Sequence, residues 1–366
     1  MLYQCSTPAG DGAARAEPAA VRRPRGHGES LRVDIHCHAV SVAATKLAGA
    51  PPSPVAEPMS FFSSADSREV NHEQARINLP KLTSTTRRLA DMDAMGIDIQ
   101  VLSPSPAQYF YWAEAEAGVA LARMVNDHIA ATIAEAPERF AGLGTLPMQD
   151  PAAACAELER CVRELGLKGV ELGTNVNGGE LSDPRFHAVL RKAEELGILL
   201  FLHPMGFSQG QRLATHYLNN VVGNPLDTTL ALSHLIFDGT LDLFPGLKIC
   251  LAHGGGFLGS YSGRMDHAWC ARPDCRRHAR ERPSTYLKKM YFDTVVFDAP
   301  SLDFLVRQYG HEHVLLGTDY PFDMGDADPL ALLDRLPSLD DQARRAMQGG
   351  NAIRLLDLRH RAGAMP

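Results

Sequence analysis

The sequence predicts an α/β fold, a distorted (β/α)8 TIM-type barrel with a small insertion after its first strand. Three observations carry this expectation: eight short apolar runs, helical segments between them, and polar side chains gathered where the runs end. The candidate strands are LRVDIH (31–36), IDIQVLS (97–103), FAGLGTL (140–146), KGVELG (168–173), ILLFLH (198–203), KICLAH (248–253), MYFDTV (290–295) and HVLLGTD (313–319). Segments such as 150–166 and 183–197 lie between them. Each opens on Asp-Pro, repeats apolar residues at three- and four-residue spacing and closes on Gly. That is the signature of a capped amphipathic helix. Helical crossovers between strands imply a parallel sheet. Pattern alone leaves an open doubly wound sheet as the alternative, but no G-x-G-x-x-G follows the first strand, which counts against a dinucleotide fold.

Residues 1–29, rich in Ala, Arg, Gly and Pro without hydrophobic periodicity, are expected to form a disordered leader. Residues 30–360 are expected to form a single metal-dependent barrel domain. Within it, residues 40–90 break the rhythm with APPSPVAEP (50–58) and a polar stretch. An insertion over the barrel mouth accounts for this, since barrel enzymes build their pockets from such loops.

The chain has 366 residues, 45% hydrophobic and 22% charged, enough for a large core. A net charge of -7 argues against nucleic acid as the main partner. No run of 18 apolar residues predicts a membrane span, and no apolar stretch near the N-terminus suits secretion. The seven cysteines are odd in number and contain no C-x-x-C pair, so a reducing compartment is expected. These readings converge on a cytoplasmic enzyme.

The chemistry is expected at the strand ends. Strand 1 ends His36-Cys37-His38, and residues two apart on a strand face the same side. Strand 5 ends on His203, strand 6 on His253 and strand 8 on Asp319. All would lie on the C-terminal face, where barrel enzymes place their active sites. Imidazole and carboxylate donors suit Zn²⁺, or another transition metal, with a position left open for water or substrate. The expected ligands are His36, His38, His203 and Asp319. His253 is either a fifth ligand or a general acid/base, a role that imidazole fills well near neutral pH. Tyr109, Phe110, Tyr111 and Trp112 after strand 2 either form an aromatic pocket wall or simply pack under the insertion.

DIHCH (34–38), FLHP (201–204), LAHGGG (251–256) and LGTDYPF (316–322) resemble the amidohydrolase superfamily. GLGTLPMQDP (142–151), residues 159–177 and FPGLKICLAHGGG (244–256) narrow the resemblance to its 2-amino-3-carboxymuconate-6-semialdehyde decarboxylase branch, over about residues 31–357. The resemblance implies one Zn²⁺ on the four ligands, with His253 as catalytic acid/base and Asp319 able to shuttle a proton. It also implies two arginines gripping the substrate's carboxylates. Arg264 matches one through SGRMD, and Arg76 matches the other through its spacing to Met92-Asp93. The first reaches a neighbouring subunit in the family, which implies a homodimer. The chain departs from the branch at Met205 and at Leu82–Thr85, where relatives carry Trp and Trp-Asp-Pro. The expected activity is non-oxidative decarboxylation of a small carboxylated muconate semialdehyde or aromatic acid. The alternative is a mononuclear zinc hydrolase of an amide or lactone on the same site. Lys168 at the start of strand 4, with Glu171 further on, favours a single metal over a lysine-bridged pair.

Overall fold

The computed structural model describes residues 30–358. The leader expected over residues 1–29 lies outside them. All eight predicted strands form, as β1 (Val33–Ala39), β2 (Ile99–Pro104), β3 (Phe140–Gly142), β4 (Gly169–Gly173), β5 (Leu199–His203), β6 (Lys248–Leu251), β7 (Tyr291–Asp293) and β8 (Val314–Leu315). They pair in parallel as two sheets, β1-β2-β3 and β4-β5-β6-β7-β8. Backbone bonds join both seams. Lys168 N–H donates to Gly142 O and Glu171 N–H to Gly144 O on one side. Ile35 N–H donates to Leu316 O and His38 N–H to Tyr320 O on the other, each at 2.8 Å. The sheet therefore runs around on itself and leaves no long unpaired edge.

Alternation along the strands divides the core. Val33, Ile35, Val101, Leu143, Phe201 and Cys250 fill one cluster inside the ring of strands. Leu102, Val170, Leu200 and Leu251 point the other way, into the layer between strands and helices. Helix signals work as expected. Asp150 accepts hydrogen bonds from Ala152 and Ala153 N–H and Pro151 opens the helix Pro151–Arg163, while Gly197 closes His187–Leu196 in the left-handed conformation.

After β1 come four helices, α1 (Val42–Ala48), α2 (Pro58–Phe61), α3 (Ala65–Thr83) and α4 (Thr85–Met95). The α2 turn leans on the loop after β5, with Asn219 Nδ2 donating to Pro58 O at 3.0 Å. Of the 19 residues of α3, only Asn78 is fully buried.

Gly169 sits where the backbones of β4 and β5 come closest. A Cβ there would collide with the carbonyl of Leu199. Gly169→Ala should cost about 1–3 kcal/mol through overpacking, measured as a lower urea midpoint at unchanged slope.

Candidate metal centre

Each candidate ligand is delivered by a strand end. His36 and His38 lie two apart on β1, His203 is the last residue of β5, and Asp319 follows β8 in a turn where its backbone has φ 57°. All four are buried, and one donor atom from each lies within 4.8 Å of the others. His36 Nε2 stands 3.2 Å from His38 Nε2 and 3.3 Å from Asp319 Oδ1, which is 3.2 Å from His38 Nε2.

The other ring nitrogens are already committed. His36 Nδ1 donates to Asp293 Oδ2 at 2.6 Å, and His38 Nδ1 donates to Pro104 O at 3.0 Å. A carboxylate and a carbonyl only accept, so in the neutral rings both protons belong on Nδ1 and both Nε2 lone pairs face one another. Neither ring nitrogen of His203 has a hydrogen-bond partner, although both are shielded from solvent. Ligand atoms about 2.0–2.2 Å from one ion stand about 3.1–3.5 Å apart. The spacings of His36, His38 and Asp319 fall in that range. The donor set thus fits one divalent transition-metal ion.

Electrostatics agree. Burial, followed by the charges of the neighbouring histidines, holds His203 well below the usual histidine range and so keeps it neutral. Burial works against a charge on His36, but the Asp319 and Asp293 carboxylates outweigh it and push the imidazole well above its usual range. That charge and hydrogen bonds from His253, His36 and His38 in turn hold the Asp319 carboxyl well below its range, against its own burial.

A second layer fixes these groups. Asp293, the last residue of β7, also accepts from His253 N–H at 2.9 Å and Gly254 N–H at 2.8 Å. It therefore ties a ligand to the turn carrying the candidate acid/base. Asp34 accepts from His36 N–H, Thr318 Oγ1 and Gln100 Nε2. Buried Arg88 donates to Gln100 Oε1 at 3.0 Å and to His38 O. Glu171 on β4 accepts from Tyr109 at 2.7 Å and faces His38 Nδ1 at 3.9 Å. Asp293 follows the same strand-end rule as the four ligands, which is the signal that would have found it in the sequence. Arg88 and Asp34 carry no such mark.

His253 Nε2 lies 3.6 Å from Asp319 Oδ2, its side chain is 15% exposed, and it lines a cavity of about 640 Å³. The arginines are not brought there. Arg76 sits on α3 with its side chain 73% exposed, and its guanidinium holds Glu73 at 2.6 Å. Sequence spacing through the loop suggested a carboxylate grip, but the loop is helical here and turns Arg76 to solvent, where i,i+3 pairing satisfies it. Arg264 is exposed on the helix Leu258–Ala271. It has no hydrogen bond or ion pair among the described residues. Asp266 is instead engaged by Ser284. Tyr109, Phe110 and Tyr111 are buried in the core, and the two tyrosines stack at 5.4 Å. They pack under the surrounding loops and do not line the cavity.

Comparison with known proteins places this centre in context. The profile of the amidohydrolase family matches residues 33–358. The chain is 40% identical over 272 residues to 2-amino-3-carboxymuconate-6-semialdehyde decarboxylase of Dictyostelium discoideum, spanning 74% of this chain and 76% of that one. It is 32% identical over 253 residues to gamma-resorcylate decarboxylase of Rhodococcus jostii, spanning 64% and 77%. Among solved structures, the 5-carboxyvanillate decarboxylase of Novosphingobium aromaticivorans, complexed with manganese and 4-hydroxy-3-methoxy-5-nitrobenzoic acid, superposes with a TM-score of 0.80 at 25% identity. That match covers 90% of this chain and 96% of that one.

Two outcomes are expected of the centre. Asp293→Ala should weaken divalent-metal affinity about 10–100-fold, measured by chelator competition. Stripping the metal should lower the melting temperature and re-adding it should restore it, because a ligand that binds only the folded state stabilises that state.

Proposed function

The chain belongs to the amidohydrolase family, and on that premise we infer that it is a metal-dependent, non-oxidative decarboxylase of a small carboxylated muconate semialdehyde or aromatic acid. The observation that carries this reading is the convergence of His36, His38, His203 and Asp319 beside His253 at the edge of a cavity. These four residues would hold one divalent ion, which would supply Lewis acidity to a bound substrate. Three nitrogens and one carboxylate suit Zn²⁺, and the manganese held by a solved relative makes Mn²⁺ the competing occupant.

The remaining chemistry falls to the protein. His253 donates a proton to the carbon that bears the departing carboxylate. The carbon–carbon bond then breaks, its electron pair returns to the conjugated system, and carbon dioxide leaves. The exposed edge of His253 recovers its proton from solvent. Asp319 steadies the charged imidazole from 3.6 Å and provides a second route for the proton. Asp293 orients the His253 turn through two backbone hydrogen bonds.

Substrate carboxylates need cations, and among the described residues no Lys or Arg lines the cavity. Arg264 lies on the same helix as Gly259 and Ser260, which do line it, and extends from its surface. We assign it to the cavity of a second subunit in a homodimer, where a guanidinium fork would hold a carboxylate through paired hydrogen bonds. No described helix is long and apolar enough to cross a membrane, and the described cysteines are all free, which supports a cytoplasmic location.

The test of this reading is release of carbon dioxide from aminocarboxymuconate semialdehyde and a panel of hydroxybenzoates. Turnover of at least one, abolished by chelator and restored by metal, is expected. Silence across the panel from folded, metal-loaded protein would move the reading to hydrolysis of an amide or lactone. His253→Ala should retain metal and lose at least 100-fold in kcat. A metal-free variant would make His253 a ligand instead. Arg264→Ala should raise KM by about tenfold or more, and an unchanged KM would remove it from substrate binding.

A further inference from the structure

Asn224 opens the helix Asn224–Phe237, directly after a π-helical turn over Asn219–Gly223. Such turns recur at functional sites because they displace the residues that follow them from ordinary helical register. The start of this helix is pinned against the His253 turn. Phe257 N–H donates to Thr229 Oγ1 at 2.9 Å, and the Pro225 carbonyl abuts Gly256 so closely that no Cβ fits between them. Asn224 thereby becomes a wall of the cavity that His253 also lines.

The side chain of Asn224 is unusual in its surroundings. The residue is only 7% exposed, yet its amide makes no hydrogen bond among the described residues: its Oδ1 is shielded without a donor, and Nδ2 is the end left accessible. A buried amide left unmatched costs roughly 1–3 kcal/mol. The nearby wall offers little relief, since Phe297, Phe304, Val296 and Leu305 are apolar. Elsewhere the cavity carries Asn220, Ser260, Asp298 and Ser301, and a few polar groups set among apolar walls are the usual arrangement for reading a ligand's orientation.

We propose that Asn224 is a specificity-determining residue that reads a hydroxyl or amino substituent on the substrate, its Nδ2 donating to the substituent's lone pair. The inference rests on the decarboxylase reading and narrows its substrates to acids carrying such a substituent. A methyl group in the same place would leave the amide as unmatched as before. The metal ligands, His253 and Asn224 then divide the work: the first hold the reacting end, and the last reads what else the ring or chain carries.

The test uses metal-loaded protein and equilibrium calorimetry, so that turnover is not required. The three hydroxybenzoate isomers are titrated beside the three methylbenzoates, with the wild-type chain and with Asn224→Leu and Asn224→Met. Metal content and melting temperature establish that each variant is folded. At least one isomer is expected to bind the wild type about tenfold more tightly than its methyl counterpart, and that preference is expected to fall to about twofold or less in both variants. A preference that survives in either folded variant, or that no isomer shows, overturns the role of Asn224. Carbon dioxide release followed on the same panel separates the two readings. Turnover with an unchanged preference removes only the Asn224 assignment, whereas a lost preference without turnover supports Asn224 and removes the decarboxylation step. Failure of all six acids to bind overturns the role of Asn224, and silence of aminocarboxymuconate semialdehyde as well overturns the decarboxylase reading.

Discussion

Two buried imidazole nitrogens stand 3.2 Å apart, neither carrying a proton in the neutral rings, and the rest of the site is built around that conflict. Asp293 and the Pro104 carbonyl take the Nδ1 protons of His36 and His38, which leaves two lone pairs facing each other in a dry interior. Asp319 adds a carboxylate at the same distance. Uncompensated acceptors in low dielectric repel and are expensive to bury. A cation among them reverses the sign of every one of these interactions. The arrangement of the hydrogen bonds therefore favours a cation at this point, either a proton on His36 or a divalent metal ion, and the four-donor set fits the metal.

The barrel supplies the rigidity this demands. β1 places His36 and His38 on one side through simple alternation, while the turn after β8 folds Asp319 back over β1 through Asp319 N–H to His36 O at 2.8 Å. Asp34 and Gln100 carry the same fixation outward to Arg88, whose guanidinium also meets the His38 carbonyl and stacks 4.9 Å from the Tyr320 ring. Helix α4, which ends the segment inserted after β1, is in this way bonded to the metal ligands. Asp293 does the equivalent on the other side by gripping His36 and the His253 turn together. Catalytic geometry held by such a supporting shell survives without relying on loop order.

Much of this was legible in the sequence. The apolar runs located all eight strands, because parallel strands buried on both faces read as continuous apolar segments. The runs overshot the ladders where function begins. KICLAH was read to residue 253 but the regular strand ends at Leu251, and HVLLGTD was read to 319 but the regular strand ends at Leu315, with only isolated bonds beyond. At both places the backbone leaves the sheet for a positive φ, at His253 and at Asp319, to aim a side chain inward. Arg76 faces solvent and pairs with Glu73 in this chain, a direction that spacing across a variable loop does not carry. The run 109–112 reads equally as a pocket wall or as packing in the sequence, and its tyrosine oxygens decide for packing, being used internally by Glu171 and by Gly173 N–H. Asn224 was invisible for a different reason. Its signal is the lack of a partner, which exists only once the chain is folded.

The most direct measurement is the metal itself, located by anomalous scattering in crystals of the purified protein and counted by elemental analysis. The account predicts one ion per chain, bonded to His36 Nε2, His38 Nε2, a ring nitrogen of His203 and Asp319. An ion bonded elsewhere, or fully folded protein crystals in which these four side chains keep the same positions with no cation among them, would contradict it.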